Sequence, residues 1–246
     1  MGSLDDKVTI VTGAGRGIGR AIAEAAAAEG AIIVASDIDA EAAERTAAAL
    51  GGKAIGIAAD VSSAESVQVL VDGVVERFGR IDVLVNNAGW DKAGPFVESD
   101  PADWDRIIRI NLYGVLHTSR SVLPLMSEQK SGSVVNIASD AGRVGSSGEA
   151  VYSATKGGII AFSKTAAREV ARHGVRVNCV CPGPTDTQLL AEFAGDKLRN
   201  ALVRAIPLGR VGQPDDVANG VVFLAGDKAE FVTGQTLSVS GGLTMC

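Results

Sequence analysis

The stretch Thr12-Gly13-Ala14-Gly15-Arg16-Gly17-Ile18-Gly19 decides the fold, because it lies between an apolar strand and a helix with apolar residues at helical spacing. Glycines here permit a tight turn and let the backbone approach a pyrophosphate, which would rest at the helix N-terminus. A single glycine-rich loop is a weak signal. Asp37 strengthens it, because about twenty residues further on a carboxylate can accept hydrogen bonds from adenosine ribose hydroxyls. A solvated turn residue or a helix cap is the alternative interpretation of Asp37.

Predicted strands and helices alternate along the chain, which is the pattern of an α/β protein. The strands are nearly continuous apolar runs, typical of parallel strands buried on both faces, and cover residues 7–12, 31–36, 53–58, 81–86, 133–137, 175–180 and 236–239. Helices are predicted from the glycine-rich loop to about residue 29 and over residues 40–50, 62–78, 101–126, 150–173 and 214–225. We therefore predict one Rossmann-type domain over residues 1–246, a doubly wound parallel sheet with helices on both faces. Residues 184–212 are the long irregular segment, and we expect them to form a substrate lid.

Composition argues against several classes of protein. A length of 246 residues fits one large α/β domain and leaves little room for a second. The net charge of −6 favours neither nucleic acid nor an anionic membrane surface as a partner. The N-terminus lacks the basic and apolar segments of a signal peptide, and no apolar stretch approaches membrane-spanning length. We expect a cytoplasmic protein.

The cysteines do not indicate a metal site. Cys179 and Cys181 lie two apart in a predicted strand and so share one face of the sheet. There is no Cys-x-x-Cys pair and no nearby His to complete a zinc site. We expect both to be buried, reduced thiols, as in a reducing cytoplasm. No role is predicted for the terminal Cys246.

Tyr152 and Lys156 lie four residues apart in the helix predicted over residues 150–173. Residues at this spacing share one helix face, so the phenol and the ammonium point the same way. A cation beside a phenol favours the phenolate and lowers the phenol's pKa, which would make Tyr152 a usable acid and base. Taken alone, the pair is more often an ordinary helix face, and the other motifs of the chain decide for the catalytic interpretation.

The motifs together resemble the short-chain dehydrogenase/reductase family, in its single-domain type, over essentially the whole chain. The first loop resembles the family's Thr-Gly-x-x-x-Gly-x-Gly, and Asn86-Asn87-Ala88-Gly89 resembles the turn that lines the cofactor cleft. Ser139 lies 13 residues before Tyr152, as the family spacing requires. The resemblance implies that the catalytic residues are Asn111, Ser139, Tyr152 and Lys156. It implies a dinucleotide site formed by Gly13, Gly15, Arg16, Gly17, Ile18, Gly19, Asp37, Asp60, Val61, Asn87, Ala88, Gly89, Tyr152, Lys156, Pro182, Gly183, Thr185 and Thr187.

The implied reaction interconverts a secondary alcohol and a ketone by hydride transfer. Tyr152 would exchange the proton with the substrate oxygen, and the Ser139 hydroxyl would hold that oxygen. Lys156 would lower the Tyr152 pKa and bind the nicotinamide ribose, while Asn111 would position a water that relays protons. A loop-capping hydroxyl and a buried amide that closes a helix kink are the alternatives for Ser139 and Asn111. A hydrolase is disfavoured because Gly145-Ser-Ser-Gly148 is not a Gly-x-Ser-x-Gly elbow, and a non-enzymatic dinucleotide sensor is the remote alternative.

Cofactor choice and assembly are further expectations. Asp37 should repel a 2′-phosphate, so NAD is expected in preference to NADP. Arg16 departs from that pattern, because a basic residue there often holds the 2′-phosphate in NADP-preferring relatives. The family usually forms tetramers, and the helices over 101–126 and 150–173 carry additional apolar residues, namely Ile159, Ile160, Ala167 and Val170. We therefore expect a homotetramer.

The substrate is indicated by a narrower resemblance. Residues 86–91, 139–152, 182–187 and 240–245 look like those of 2-hydroxycyclohexanecarbonyl-CoA dehydrogenases, which implies a cyclic 2-hydroxyacyl-CoA substrate. Trp90, Arg143, Ser146 and Glu149 would border its pocket. A 3-oxoacyl-carrier-protein reductase, or another alcohol/ketone reductase of the family, is the alternative. Four basic side chains within the segment 184–212 could bind CoA phosphates, namely Lys197, Arg199, Arg204 and Arg210.

Overall fold

The structure is a computed structural model that describes residues 2–193 and 195–245. Cys246 therefore lies outside the described residues, as does residue 194 within the expected lid. The strands are β1 Val8–Thr12, β2 Ile32–Asp37, β3 Ile55–Ala58, β4 Val83–Asn86, β5 Gly132–Ile137, β6 Val175–Pro182 and β7 Thr236–Val239. The helices are α1 Gly17–Ala28, α2 Ala40–Leu50, α3 Ala64–Phe78, α4 Pro101–Ile108, α5 Gly114–Gln129, α6 Ala141–Val144, α7 Ala150–Val170, α8 Gln188–Phe193, α9 Asp196–Ala205 and α10 Pro214–Ala225.

The strands form one seven-stranded parallel sheet in the order β3-β2-β1-β4-β5-β6-β7. The predicted α/β Rossmann-type fold is confirmed. The strand order reverses between β1 and β4, and such a switch point leaves a crevice at the carboxyl ends of the strands. The residues that follow β1, β4 and β5 therefore converge on one edge of the sheet.

The core lies on both faces of the sheet. Neighbouring residues of β1 point to opposite faces, with Val11 packed among residues of α1 and α10 and Ile10 among residues of α3 and α5. Both side chains are fully buried. This two-sided burial explains why the strands read as continuous apolar runs in the sequence.

One predicted helix is interrupted. The chain over residues 101–126 forms α4 and α5, joined by a turn of π-helix at Arg109–Tyr113. The Asn111 side chain donates to the carbonyl oxygen of Ile107, 2.9 Å away, and so takes the place of a backbone donor within the helix. The Asn111 amide thus lies buried at this irregularity, as its alternative interpretation expects, and its catalytic role stays a prediction.

The apolar residues expected to form a subunit interface lie mostly inside the chain's own core. Ile159, Ala167 and Val170 are buried against β5, β6 and α5, and only Ile160 of the four is partly exposed. The long helix α7 packs on the sheet over most of its length, so its apolar stripe is already used within the subunit. No helix in residues 2–193 and 195–245 has the length and apolar content needed to cross a bilayer.

Candidate active site

Thr12 joins the first loop to the turn after β4. Its hydroxyl oxygen accepts hydrogen bonds from the backbone N–H groups of Asn87 and Ala88, at 3.0 and 3.1 Å. In return, the Asn87 amide donates to the carbonyl oxygens of Thr12 and Gly13, at 3.0 and 3.2 Å. The loops that follow two adjacent strands are thus held together at the switch point.

The glycines of the first loop are required by close packing. Gly13 has a positive φ of 64°, and a Cβ there would lie 2.9 Å from the Ala88 Cα atom. A Cβ on Gly19 would lie 2.1 Å from the Gly13 carbonyl oxygen and 2.4 Å from the Asn87 amide nitrogen. Side chains at these positions would therefore force the two loops apart.

The N-terminus of α1 is suited to an anionic group. Arg16, at the N-cap, makes no side-chain capping bond, and the first turn has no acidic residue. By contrast, the side chains of Asp39, Ser63 and Asp100 cap α2, α3 and α4. Backbone N–H groups and the helix dipole at the start of α1 thus remain available to a pyrophosphate, so the Gly13–Gly19 loop fits a dinucleotide.

Asp37 and Arg16 both have hydrogen-bond partners within the protein at this loop. The Asp37 carboxylate accepts hydrogen bonds from the backbone N–H groups of Gly15, at 2.9 Å, and Asp39, at 3.1 Å. The Arg16 guanidinium is exposed and donates to the Gln188 side chain at 3.0 Å. Asp37 therefore stabilises the loop itself, a role that differs from both the ribose contact and the solvated turn or helix cap expected from the sequence.

Asp60 and Val61 follow β3 at the same edge of the sheet. The Asp60 carboxylate accepts from the N–H and the hydroxyl of Ser62, at 2.9 and 2.7 Å. Val61 packs against Gly114, and its carbonyl oxygen lies 3.1 Å from the His117 ring. Both residues thus border the outer half of the crevice, where the resemblance places an adenine.

The Lys156 ammonium lies at the centre of the site. It is buried and donates a 2.8 Å hydrogen bond to the carbonyl oxygen of Ile137, at the end of β5. A Cβ on Gly89 would lie 3.7 Å from the same nitrogen, so the turn after β4 also approaches it. Burial lowers the pKa of Lys156 to about 8, because desolvation disfavours the charged form.

Tyr152 and Ser139 lie beside this lysine. The Lys156 nitrogen is 5.4 Å from the centre of the Tyr152 ring. Burial raises the pKa of Tyr152, as do the negative charges of Glu149 and Asp91, while a hydrogen bond with Ser139 opposes the rise. In the free protein the Tyr152 pKa is thus shifted upward, opposite to the direction expected from Lys156, and desolvation is the largest cause.

Asn111 is bound to the segment that follows Gly89. Its amide nitrogen donates to the carbonyl oxygen of Trp90 at 2.6 Å, and its amide oxygen accepts from the Trp90 N–H at 3.3 Å. Together with the bond to Ile107, this uses both amide donors. The Asn111 side chain positions the loop after β4, so any water held for proton relay would have to use other donors.

The four expected substrate residues differ in their contacts. The Arg106 guanidinium lies over the Trp90 ring, 4.1 Å from the centre of that ring. Glu149 immediately precedes α7. Arg143 turns towards Asp140, with 3.9 Å between the charged groups, and Ser146 is exposed.

Asp91 is missing from the site residues predicted from the sequence, although its carboxylate faces that of Glu149. Burial raises its pKa to about 7, and the Glu149 carboxylate contributes to the rise. An acidic side chain two residues after Gly89, in the turn that follows a buried strand, was the available signal.

The segment after β6 closes the site. Gly183 donates to the carbonyl of Val239 at 3.0 Å, and Thr185 donates to the carbonyl of Gly183 at 2.9 Å. The Pro182 carbonyl accepts from the N–H of Asp140, the residue after Ser139, at 3.2 Å. Thr187 lies near Gly17, since a Cβ added at Gly17 would be 3.8 Å from the Thr187 methyl group. The segment therefore reaches from the catalytic strand to the glycine loop.

Two of the cations expected to meet CoA phosphates are already paired. Arg199 binds both carboxylate oxygens of Asp186, at 2.9 and 2.8 Å, and Arg210 binds both of Asp216, at 2.6 and 2.8 Å. These fork-to-fork pairs place the two guanidiniums on the protein's own carboxylates. Lys197 and Arg204 are exposed on α9.

Comparisons with known proteins place this geometry in a family. A family model described as Enoyl-(Acyl carrier protein) reductase matches residues 13–244. The chain is similar to the 3-oxoacyl-[acyl-carrier-protein] reductase FabG of Thermotoga maritima, with 40% identity over 98% of this chain and 99% of the relative. The protein of the same name from Staphylococcus epidermidis is 42% identical over 98% of this chain and 100% of the relative.

A solved structure shows the same architecture. The crystal structure titled Ribose-5-phosphate Isomerase from Brucella melitensis 16M superimposes with a TM-score of 0.93. It is 38% identical in sequence and covers 99% of this chain and 94% of its own.

The expected preference for NAD over NADP is wrong. The relatives named 3-oxoacyl-[acyl-carrier-protein] reductase are NADPH-dependent reductases. The Asp37 carboxylate, expected to face the cofactor ribose, instead accepts from the N–H groups of Gly15 and Asp39. The exposed Arg16 guanidinium lies at the same loop.

The matches extend over nearly the whole chain and include the glycine loop and the residues around Tyr152. They establish an oxidoreductase that acts on an alcohol or ketone group. These relatives are named 3-oxoacyl-[acyl-carrier-protein] reductases. They therefore do not support the narrower resemblance to 2-hydroxycyclohexanecarbonyl-CoA dehydrogenases. By sequence and by fold, the chain belongs to the short-chain dehydrogenase/reductase family.

Proposed function

We propose that this protein reduces the ketone of a 3-oxoacyl thioester to the secondary alcohol, with NADPH as the hydride donor. The observation that carries the proposal is the meeting of Ser139, Tyr152 and Lys156 beside a glycine loop whose helix N-terminus is open to a pyrophosphate. The full-length similarity to proteins named 3-oxoacyl-[acyl-carrier-protein] reductase supports the substrate class.

Each residue of the set has a distinct task. The bound nicotinamide supplies the hydride. Tyr152 donates the proton to the substrate oxygen, and the Ser139 hydroxyl, which lies against it, holds that oxygen. Lys156 is fixed by the Ile137 carbonyl at 2.8 Å, where its remaining protons can reach a cofactor ribose. The charge of Lys156 then stabilises the phenolate that forms as Tyr152 gives up its proton.

The same arrangement supports the assignments around the cofactor. The pyrophosphate would rest on the N–H groups at the start of α1, and the residues after β6 would contact the nicotinamide. Arg16 is the cation at the loop that can pair with a 2′-phosphate. Residues 184–212 form the lid, tied to the loop by the bond between Arg16 and Gln188.

A cyclic 2-hydroxyacyl-CoA is the second candidate substrate. Trp90 favours it, because the hydrogen bonds with Asn111 and the Arg106 guanidinium hold its ring next to the site, where it offers a flat apolar surface. Both candidates place the reacting carbon two bonds from a thioester carbonyl. They therefore require the same catalytic groups, and they differ in the shape of the acyl group.

Purified protein and three ketones test the proposal. With NADPH, we expect 3-oxobutanoyl-CoA and 2-oxocyclohexanecarbonyl-CoA to be reduced with a higher kcat/KM than cyclohexanone, and their ratio ranks the two candidates. NADH is the matched cofactor control. Failure to reduce either thioester, with cyclohexanone reduced well, would show that the substrate is a simple ketone.

A further inference from the structure

The Asp91 carboxylate is the buried polar group that the proposed mechanism leaves unused. Both of its oxygens are inaccessible to solvent, and within residues 2–193 and 195–245 neither accepts a well-aligned hydrogen bond from a donor of the protein. Leaving such a group unpaired costs folding free energy, so its presence calls for an explanation. An Asp that contributes nothing to the fold is expected to serve the site it borders.

A second carboxylate faces it. Glu149 lies immediately before α7, and its carboxylate acts on Asp91 both as a charge and through its side-chain oxygens. The two segments are joined by a 2.8 Å hydrogen bond from the Gly94 N–H to the Gly148 carbonyl. The backbone therefore holds the loop after β4 against the start of α7, so the fold itself brings the two carboxylates together.

The pair borders the reacting groups. The charges of both carboxylates act on the Tyr152 phenol, and that of Asp91 also acts on the Lys156 ammonium. The N–H of Ser153 donates to the Glu149 carbonyl at 2.7 Å, which sets Glu149 one turn before Tyr152 on α7. When the ketone oxygen of a substrate binds Tyr152, the substrate atoms next to the ketone are therefore close enough to interact electrostatically with both carboxylates.

We propose that Asp91 and Glu149 determine substrate specificity: by sharing one proton they donate a hydrogen bond to the thioester carbonyl oxygen and repel a free carboxylate in the same place. This inference rests on the proposed function and identifies how the site would distinguish the thioester from its parent acid. Two carboxylates in contact cannot both ionise readily, so one proton is retained between them. A neutral carbonyl oxygen accepts from that proton, whereas an anion meets the remaining negative charge.

The charged groups around the pair set its pH dependence. Glu149, Tyr152 and Lys156 face Asp91 from α7 and its N-cap, and the Lys92 N–H lies near it on its own segment. The Lys92 ammonium instead binds Asp103 of α4 at 2.7 Å, and Arg106 of α4 covers the Trp90 ring. Because burial and Glu149 raise the pKa of Asp91 to about 7, the shared proton is present below neutrality and lost above it.

The test compares three ketones that differ next to the reacting group. They are the N-acetylcysteamine thioester of 3-oxobutanoate, which lacks the CoA phosphates, free 3-oxobutanoate, and butanone, which has no second carbonyl. In the double variant Asp91→Asn/Glu149→Gln the negative charge of the pair is lost and amide donors remain, so the thioester-to-acid ratio of kcat/KM should fall by about tenfold or more. Each single variant keeps one carboxylate and should leave most of the discrimination in place. Loss of the charge acts on Tyr152 in the same way with every ketone, so activity on butanone is the reference for the other two. Glu98→Gln, in the same loop but exposed, should leave the ratio as it is.

A pH series separates this role from a structural one. The KM of the wild type for the thioester should rise between about pH 6 and about pH 8, and that of Asp91→Asn should stay level. An unchanged ratio in the double variant, a parallel loss on all three ketones, or a wild type that reduces the free acid as well as the thioester would each overturn the inference. If the wild type reduced butanone alone, the proposed function itself would fail.

Discussion

The Lys156 ammonium donates a 2.8 Å hydrogen bond to the carbonyl oxygen of Ile137, so the central helix α7 is joined to the carboxyl end of β5 at the reacting groups. This bond fixes the height of the lysine relative to the sheet. Ser139 lies two residues beyond Ile137 on the same strand exit, and Tyr152 lies one turn before Lys156. One contact thereby sets the relative position of the three groups assigned to catalysis.

Tyr152→Phe should abolish turnover and leave cofactor affinity nearly unchanged. The ring stays in place and only the proton carrier is removed, an effect typically worth about 10²–10⁴ in rate. Lys156→Ala should weaken both, because the ammonium also binds the ribose. Steady-state kinetics and NADPH titration by fluorescence measure the two effects. Retention of most of kcat by Tyr152→Phe would contradict the assigned mechanism.

Gly19→Ala should destabilise the protein and weaken cofactor binding. The new Cβ would lie 2.1 Å from the Gly13 carbonyl oxygen, and overpacking of this kind costs about 1–3 kcal/mol. Gly73→Ala in α3 is the matched control, because a Cβ there has nothing within 4 Å and should stabilise the helix by about 0.5–1 kcal/mol. Urea denaturation measures both. Equal stabilities for the two variants would show that the loop can accommodate a side chain at position 19.

Asp91→Asn should stabilise the protein more at high pH than at low pH. Burial and Glu149 raise the folded pKa of Asp91 to about 7, well above the usual value of an aspartate, so the stability tied to the protonated carboxyl is lost as pH rises through 7. The variant has no such loss. After allowance for solvent screening, its Tm relative to the wild type should increase by about 2–4 °C between about pH 5 and about pH 8. A Tm difference that is independent of pH would mean that Asp91 is ionised throughout.

Asp186→Asn should change substrate kinetics and leave the fold intact. The Asp186–Arg199 pair connects the segment after β6 to α9, and exposed pairs contribute little to overall stability. Loss of the pair should loosen residues 184–212, so KM for the thioester should rise while the Tm stays within about 1 °C. Asp196→Asn, at the start of the same helix, is the control. An unchanged KM would indicate that the segment does not cover the substrate.

Light scattering should give about four times the mass of one chain at micromolar concentration. The surface we expect to be covered lies at the β7 edge, where Phe223, Phe231 and Leu237 are exposed, Phe231 completely. Phe231→Asp should therefore lower the mass to that of a dimer or monomer without unfolding the chain. A monomeric wild type would show that this apolar surface is not a subunit interface.

Short-range patterns in the sequence were sufficient for the fold and for most of the site. Alternation of apolar strands with helices predicted the doubly wound sheet, because strand burial and helix periodicity are encoded over a few consecutive residues. The glycine loop was readable for the same reason, since Gly13 and Gly19 are required by local backbone geometry. The spacing of Ser139, Tyr152 and Lys156 placed them together once the strand exit and helix were assigned.

Only the tertiary structure decided which partners the charged and polar groups would take. The sequence presents Asp37 and Arg199 as free to meet a ligand, yet folding gives Asp37 the N–H of Gly15 and gives Arg199 the carboxylate of Asp186. It likewise brings Asp91 against Glu149, a contact between two loops far apart in the chain. Hydrogen-bond partners and pKa values depend on what the completed packing brings within a few ångströms and shields from water. Local periodicity determines the elements, and only their assembly determines those distances.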